Sequence, residues 1–79
     1  MKNWLMLTLV GKDRPGIVAE VSRVLFDMKG NLGEASMTRL GGNFTIMLMA
    51  SIPEKINAVE EKLQPVCDKL GLFFHLDHQ

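Results

Sequence analysis

The sequence of 79 residues contains a single cysteine, Cys67, and no tyrosine. One thiol can form neither an intrachain disulfide nor a cysteine-based metal site, so an apolar core must hold the fold together. No run approaches the roughly 18 apolar residues that span a bilayer, and no secretory signal pattern follows Lys2. We therefore expect a reduced, cytoplasmic protein that binds no membrane, no metal and no cofactor.

An excess of charge of one sign is also missing. Nine lysine and arginine residues balance nine aspartate and glutamate residues, which gives a net charge of zero. Binding to a nucleic-acid duplex is driven by cationic side chains that neutralise phosphates. The composition therefore argues against nucleic acid as a direct partner. The length and the hydrophobic fraction of 47% predict one small domain, residues 1–79.

Two segments are apolar on both alternating sets of positions, which is typical of strands whose two faces are both covered. They are NWLMLTLV, residues 3–10, and NFTIMLMAS, residues 43–51. Residues 31–40 are smaller and more polar and predict an edge strand, and residues 72–77 predict a last strand. Gly41-Gly42 predicts a two-residue turn between the second and third strands.

The segment 15–29 changes to helical spacing, with apolar residues on one face. Pro15 is predicted in the first helical turn, where its missing N–H is tolerated. Gly30 is predicted as the left-handed residue that ends the helix. These positions bracket a first helix that follows the first strand closely.

The segment 56–70 predicts a second helix that ends at Gly71. The preceding residues, Ser51 to Glu54, have the S-x-x-E form of a capping box. Pro65 lies inside the helical pattern, so we expect a kink or a split near residues 61–64.

The predicted order is βαββαβ, which is the α+β, ferredoxin-like arrangement. Two helices would cover one face of a four-stranded antiparallel sheet, with the first and third strands at its centre. The opposite face would carry exposed Trp4, Met6 and other apolar side chains. Because a large open apolar face marks an interface, we expect a partner, most simply a second copy in a homodimer.

The connection GKDRPG, residues 11–16, allows two interpretations. In one, Gly11 and Gly16 permit a tight turn, and Asp13 accepts hydrogen bonds from the free N–H groups at the start of the helix. In the other, the same N–H groups and the helix dipole bind an anion. Since Asp13 opposes a bare anion and suits an ammonium group, the second interpretation favours a zwitterion over a phosphate.

The motif DRPGIV, followed by Asn31-Leu32 and by FTIMLMAS, resembles an ACT domain, and the resemblance covers residues 4–77. ACT domains are regulatory modules that commonly bind amino acids between two copies. The resemblance is strongest to glycine cleavage system transcriptional repressors, which usually carry two such units. It implies a non-catalytic module that binds glycine or serine and regulates transcription or metabolism through a protein partner. The implied ligand-binding residues are Gly11, Asp13, Arg14, Pro15, Gly16 and Asn31; Arg14 either covers the ligand's carboxylate or lies in solvent.

Other functions of this fold lack their residues. A metal chaperone needs C-x-x-C in the first loop, and the loop has no cysteine. An acylphosphatase-like enzyme needs a glycine and valine signature before its first helix, which is missing too. His75 and His78 have no cysteine or carboxylate cluster paired with them, so they predict no metal site. The alternative that stays open is a module that only dimerises or binds a protein, with no ligand.

Overall fold

The computed structural model describes residues 3–79. Its elements follow in the order β1 (Asn3–Lys12), α1 (Ile17–Asp27), β2 (Asn31–Leu40), β3 (Asn43–Ile52), α2 (Ile56–Leu70) and β4 (Phe73–His78). The strands form one antiparallel sheet in the order β2-β3-β1-β4. The predicted α+β, ferredoxin-like class is confirmed, and so are the central positions of β1 and β3.

The two central strands pair without interruption from Asn3 opposite Ile52 to Lys12 opposite Asn43. Alternate residues of both strands face the helices, since successive side chains of a strand point to opposite faces. The core therefore lies between one face of the sheet and the helices. Its buried apolar side chains are Leu5, Leu7, Leu9, Ile17, Val21, Leu25, Phe44, Ile46, Leu48, Ala50, Ile52, Val59, Leu63, Cys67 and Leu72.

The ends of α1 differ from the prediction. The helix begins at Ile17, after Pro15, and Gly16 is its N-cap with a φ of 83°. The left-handed residue at the other end is Lys29, with a φ of 66°, and not Gly30. Gly30 is needed for space, because a Cβ there would lie 2.8 Å from the carbonyl oxygen of Leu25.

The predicted capping box is wrong. Ser51 belongs to β3, which continues to Ile52, and α2 begins only at Ile56 with Lys55 as its N-cap. Pairing with β1 extends to Ile52, and this residue is fully buried. The strand therefore takes residues that would otherwise cap a helix. The buried Ser51 hydroxyl has no hydrogen-bond partner within the described part of the chain.

The body and end of α2 test two further predictions. The helix runs as one element through Pro65, so the predicted split does not occur. Gly71 ends it with a φ of 69°, as predicted. Within residues 3–79, neither helix has the length and apolar content needed to cross a bilayer.

The face of the sheet away from the helices carries large apolar side chains, as the sequence indicated. Trp4 and Met47 lie there half-exposed, at 44% and 47%, and Phe73 is 79% exposed. Met6 and Met49 are opposite each other across the β1–β3 pair. We refer to this surface as the outer sheet face.

The edge strand β2 is the most open element. All ten of its residues are exposed, and its register with β3 shifts between Leu32 and Ala35. After the shift, Ala35, Met37 and Arg39 pair with Leu48, Ile46 and Phe44, which face the helices. These three β2 side chains therefore lie on the helix side of the sheet.

Candidate functional site

The β1–α1 loop is fixed at both ends. The amide of Asp13 donates a hydrogen bond to the carbonyl of Gly42, at 3.0 Å, and so ties the loop to the tip of the β2–β3 hairpin. At the other end, the left-handed Gly16 turns the chain into α1, and a residue with a Cβ is strained in that conformation. The loop is consequently held at one end of the sheet, over the hairpin.

The start of α1 is not capped in the way that the sequence suggested. Within the described residues, no side chain hydrogen-bonds to the first helical N–H groups. The Asp13 carboxylate instead forms an ion pair with Arg39, with Nε 2.9 Å from Oδ2. The helix start and its dipole are thus left without a capping acid, and a ligand's negative group could meet them.

The Asp13–Arg39 ion pair lies at the surface. The two side chains are 42% and 61% exposed, and an ion pair in such a setting contributes only about 0–1 kcal/mol to the free energy of unfolding. Its contribution to stability is therefore small. Its effect is to hold a carboxylate and a guanidinium side by side next to the helix start.

A cavity of about 480 Å³ opens between the loop, α1 and β2. This volume is within the range of roughly 300–1,000 Å³ that is common for small-molecule sites. The lining residues include Asp13, Arg14, Pro15 and Gly16, which are four of the residues that the resemblance implied. The remainder of the lining is Ile17, Val18, Ala19, Met37, Arg39 and Phe44.

Two implied residues lie outside this cavity. Gly11 is part of β1, and a Cβ there would lie 2.6 Å from Leu72 Cδ2, so the glycine allows the strand to pack against the α2–β4 connection. Asn31 begins β2 at the far end from the loop. Nine residues of strand, or about 30 Å, separate it from Leu40 beside the cavity. The structure of one chain does not bring Asn31 to the site.

Arg39 and Met37 line the cavity and were missed in the sequence. A usable signal was present: the two-residue turn at Gly41-Gly42 places Arg39 opposite Phe44, as observed. The sequence does not show that Asp13 lies beside this hairpin. That proximity depends on the β1–β3 register and on the bond from Asp13 to Gly42.

A second cavity, of about 390 Å³, lies next to the first, in the space between α1 and β2. Val18 and Met37 line both cavities. We call this second cavity the apolar groove, because none of its lining residues is charged and Ser22 supplies its only polar side chain. The lining is Leu9, Val18, Val21, Ser22, Leu32, Gly33, Ala35, Met37, Ile46 and Leu48.

Cys67 is not part of either cavity. The thiol is fully buried on α2. Burial raises its pKa from 9.0 to about 11, and the negative charge of Asp68 adds to this rise. A thiol in this state is a poor nucleophile at neutral pH. Within residues 3–79, no group of three or more His, Cys, Asp or Glu side chains is placed to hold a metal ion.

Comparison with known proteins gives a consistent result. The family model described as "ACT domain" matches residues 3–77. A UPF0237 protein from Listeria monocytogenes is 39% identical over 77 residues, which cover 94% of this chain and 86% of that protein.

Solved structures agree. An ACT domain protein from Streptococcus pneumoniae superposes with a TM-score of 0.85 at 28% identity, covering 99% of this chain and 91% of that one. A candidate glycine cleavage system transcriptional repressor superposes with a TM-score of 0.89 at 29% identity. That match covers all of this chain and 47% of the repressor, so the chain corresponds to about half of it.

Proposed function

Since the chain belongs to the ACT domain family, we propose that it is a non-catalytic regulatory module that binds a free amino acid at the cavity beside the β1–α1 loop. The observation that carries the proposal is the set of charged groups around that cavity. The Asp13 carboxylate, the Arg39 guanidinium and the uncapped start of α1 meet there. Together they complement a ligand that has both charges, as an α-amino acid has.

The ion pair at the cavity suits an exchange of partners. The ammonium group of the ligand would take the place of Arg39 at Asp13, and its carboxylate would bind Arg39 and the N–H groups of the helix start. Because the existing pair is exposed and weak, separating its members costs little. Arg14, which also lines the cavity, is a second guanidinium for the carboxylate.

A homodimer through β2 would complete this site. The outer edge of β2 is unpaired within the described sheet, and an unpaired edge is a template for another strand. If a second copy pairs antiparallel about the middle of β2, Asn31 of the partner subunit comes opposite Leu40, beside the cavity. Its amide could then donate to the ligand's carboxylate or accept from its ammonium group.

The test is thermal unfolding of the purified chain with each of the twenty amino acids at millimolar excess. A ligand at about a hundred times its Kd adds about 2.7 kcal/mol of stability. For a domain of this size, the expected rise in Tm is about 10 °C or more. The resemblance favours glycine or serine. A flat response to all twenty, with the dimer intact, would contradict the proposal.

Variants at the charged pair make the test specific. We expect Asp13→Asn and Arg39→Gln to abolish the rise while changing the unliganded Tm little. Asp27→Asn and Arg23→Gln are matched controls, because both residues are exposed on α1 and line neither cavity. A response that survives in Asp13→Asn would place the ligand elsewhere.

The outer sheet face supports a second candidate function, a protein-interaction module without a ligand. Three large apolar side chains, Trp4, Met47 and Phe73, are exposed there. Such a face can dock a protein through which the chain would regulate transcription or metabolism. Trp4→Ser and Met47→Ser separate the two candidates, because they should weaken docking and leave the response to amino acids unchanged.

A further inference from the structure

The geometry points to a ligand with a large, uncharged apolar side chain, of the leucine, methionine or phenylalanine class. This inference rests on the proposed amino-acid site and names its substrate class. The first cavity, which we call the charged cavity because Asp13, Arg14 and Arg39 line it, would hold the α-ammonium and α-carboxylate groups. The apolar groove would hold the side chain. It departs from the glycine or serine that the resemblance favours.

The two cavities are adjacent. Val18 and Met37 line both of them, so their side chains lie between the charged cavity and the groove. Val18 is 51% exposed and Met37 is 47% exposed, although both are large apolar side chains next to a core. A ligand side chain that extended from the charged cavity would cover these two residues.

The lining of the groove selects against charge. None of the residues around its 390 Å³ is charged, and Ser22 is the only polar side chain. A carboxylate or ammonium group there would lose water without gaining a partner, which is costly. The groove therefore gives no affinity to the side chains of aspartate, glutamate and lysine, and glycine or serine would leave it unfilled.

The fold explains why the groove exists. The helices lie over the central strands, where Leu9, Ile46 and Leu48 are buried, and β2 extends beyond them as the exposed edge. At the groove, β2 presents the small residue Ala35, directly after the shift in its register. The small side chain of Ala35 leaves the space between α1 and β2 open.

The contacts of the ligand's charged groups in the charged cavity and the burial of its side chain in the apolar groove contribute separately to binding. Complete burial of a leucine or phenylalanine side chain corresponds to about a 10- to 150-fold gain in affinity. We therefore expect leucine, methionine or phenylalanine to bind at least about tenfold more tightly than glycine. Leucinol and isopentylamine keep the side chain of leucine and lack its carboxylate. They should bind weakly, because they lose the contact with Arg39.

Titration calorimetry of the full chain with leucine, methionine, phenylalanine, serine and glycine tests this preference. In Ala35→Phe the new ring should fill the groove, so the affinity for leucine should fall by about tenfold or more while any affinity for glycine stays. Ser36→Phe is the matched control, since Ser36 pairs with Met47 on the outer sheet face and should leave both affinities unchanged.

Each result of these experiments either supports or overturns the inferred preference for a large apolar side chain. Tighter binding of leucine, lost in Ala35→Phe and kept in Ser36→Phe, supports the inference. Binding of glycine or serine with no preference for leucine overturns the inference and leaves the proposed function standing. No binding of these five amino acids overturns the inference, and a flat thermal response to all twenty overturns the proposed function as well. If Ala35→Phe lowers the oligomeric state by size-exclusion chromatography and leaves the preference for leucine intact, a second copy fills the groove and the inference is wrong.

Discussion

Two neighbouring strands of equal length, β2 and β3, differ more than any other pair in this chain. They are joined by the turn at Gly41-Gly42 and pair along most of their length. In β3 the residues facing the helices are buried, from Phe44 to Ile52, whereas all ten residues of β2 are exposed. The residues of β2 are also smaller and more polar than those of β3, which suits their different positions in the sheet. β3 lies inside the sheet, while β2 is its edge.

This difference separates stability from recognition. The buried strands β1 and β3, with the two helices, enclose the core. The edge strand contributes Arg39 and Met37 to the charged cavity and Ala35 to the apolar groove. A protein that binds ligands or copies of itself along one edge needs that edge accessible, and an accessible edge cannot bury much of its own surface.

The largest predicted effect is in the core. Leu63 of α2 is fully buried, so Leu63→Ala should lower the free energy of unfolding by about 2–5 kcal/mol. Met37→Ala on β2 should lower it by less than about 1 kcal/mol, because Met37 is half-exposed. Urea unfolding of both variants at low protein concentration provides the measurement. A cost for Met37→Ala close to that of Leu63→Ala would show that β2 is covered, and the contrast between the strands would fail.

A medium-sized effect is expected from two glycines at opposite ends of β2. In Gly30→Ala the new Cβ meets the Leu25 carbonyl oxygen at 2.8 Å, and backbone cannot move aside easily. We expect a loss of about 1–3 kcal/mol in the free energy of unfolding. Gly42→Ala is the control, because nothing lies within 4 Å of its Cβ, and it should change stability by less than about 0.5 kcal/mol. Equal effects would mean that the close approach at Gly30 relaxes freely.

The sequence predicted the fold because each element carries its own period. The spacing of Ile17, Val21 and Leu25 indicates a helix by itself, and the doubly apolar β1 and β3 indicate central strands. The details that failed depend on competition between distant parts of the chain. The S-x-x-E pattern at Ser51 is a correct local signal, yet pairing with β1 takes Ser51 and Ile52 into the strand.

The candidate site was predicted only in part for a similar reason. Glycine, proline and aspartate identify the loop at residues 13–16 because of their local conformational and capping preferences. Arg39 meets Asp13 only through the register of the sheet, so no local pattern connects them. The resemblance also implied Gly11 at the ligand; Gly11 lies outside the cavity, and its missing side chain gives room to Leu72. Asn31 reaches the site only in the proposed homodimer, and the periodicity of one chain does not describe the pairing of two copies.

A further prediction compares how fast a thiol in the core and a thiol placed on β2 react with a disulfide reagent. Cys67 is fully buried, so in the native chain it should react with a disulfide reagent only as fast as α2 opens. In a Cys67→Ala, Ser36→Cys double variant, the exposed thiol on β2 should react at the rate of a free cysteine. Comparable reaction rates for the two thiols would mean that α2 opens readily and that the core does not protect Cys67 from the reagent.

The same thiol gives the core a dependence on alkaline pH. Burial raises the pKa of Cys67 from 9.0 to about 11, so the unfolded chain loses this proton at a lower pH than the folded chain. The contribution of the protonated Cys67 thiol to the free energy of unfolding is therefore complete below about pH 9 and is lost as the pH rises from 9 to 11. Between these values the Tm of the native chain should fall more steeply than that of Cys67→Ala, which keeps the same lysines and lacks the thiol. Parallel curves of Tm against pH for the two proteins would contradict this prediction. They would show that the Cys67 thiol ionises as easily in the folded chain as in the unfolded chain.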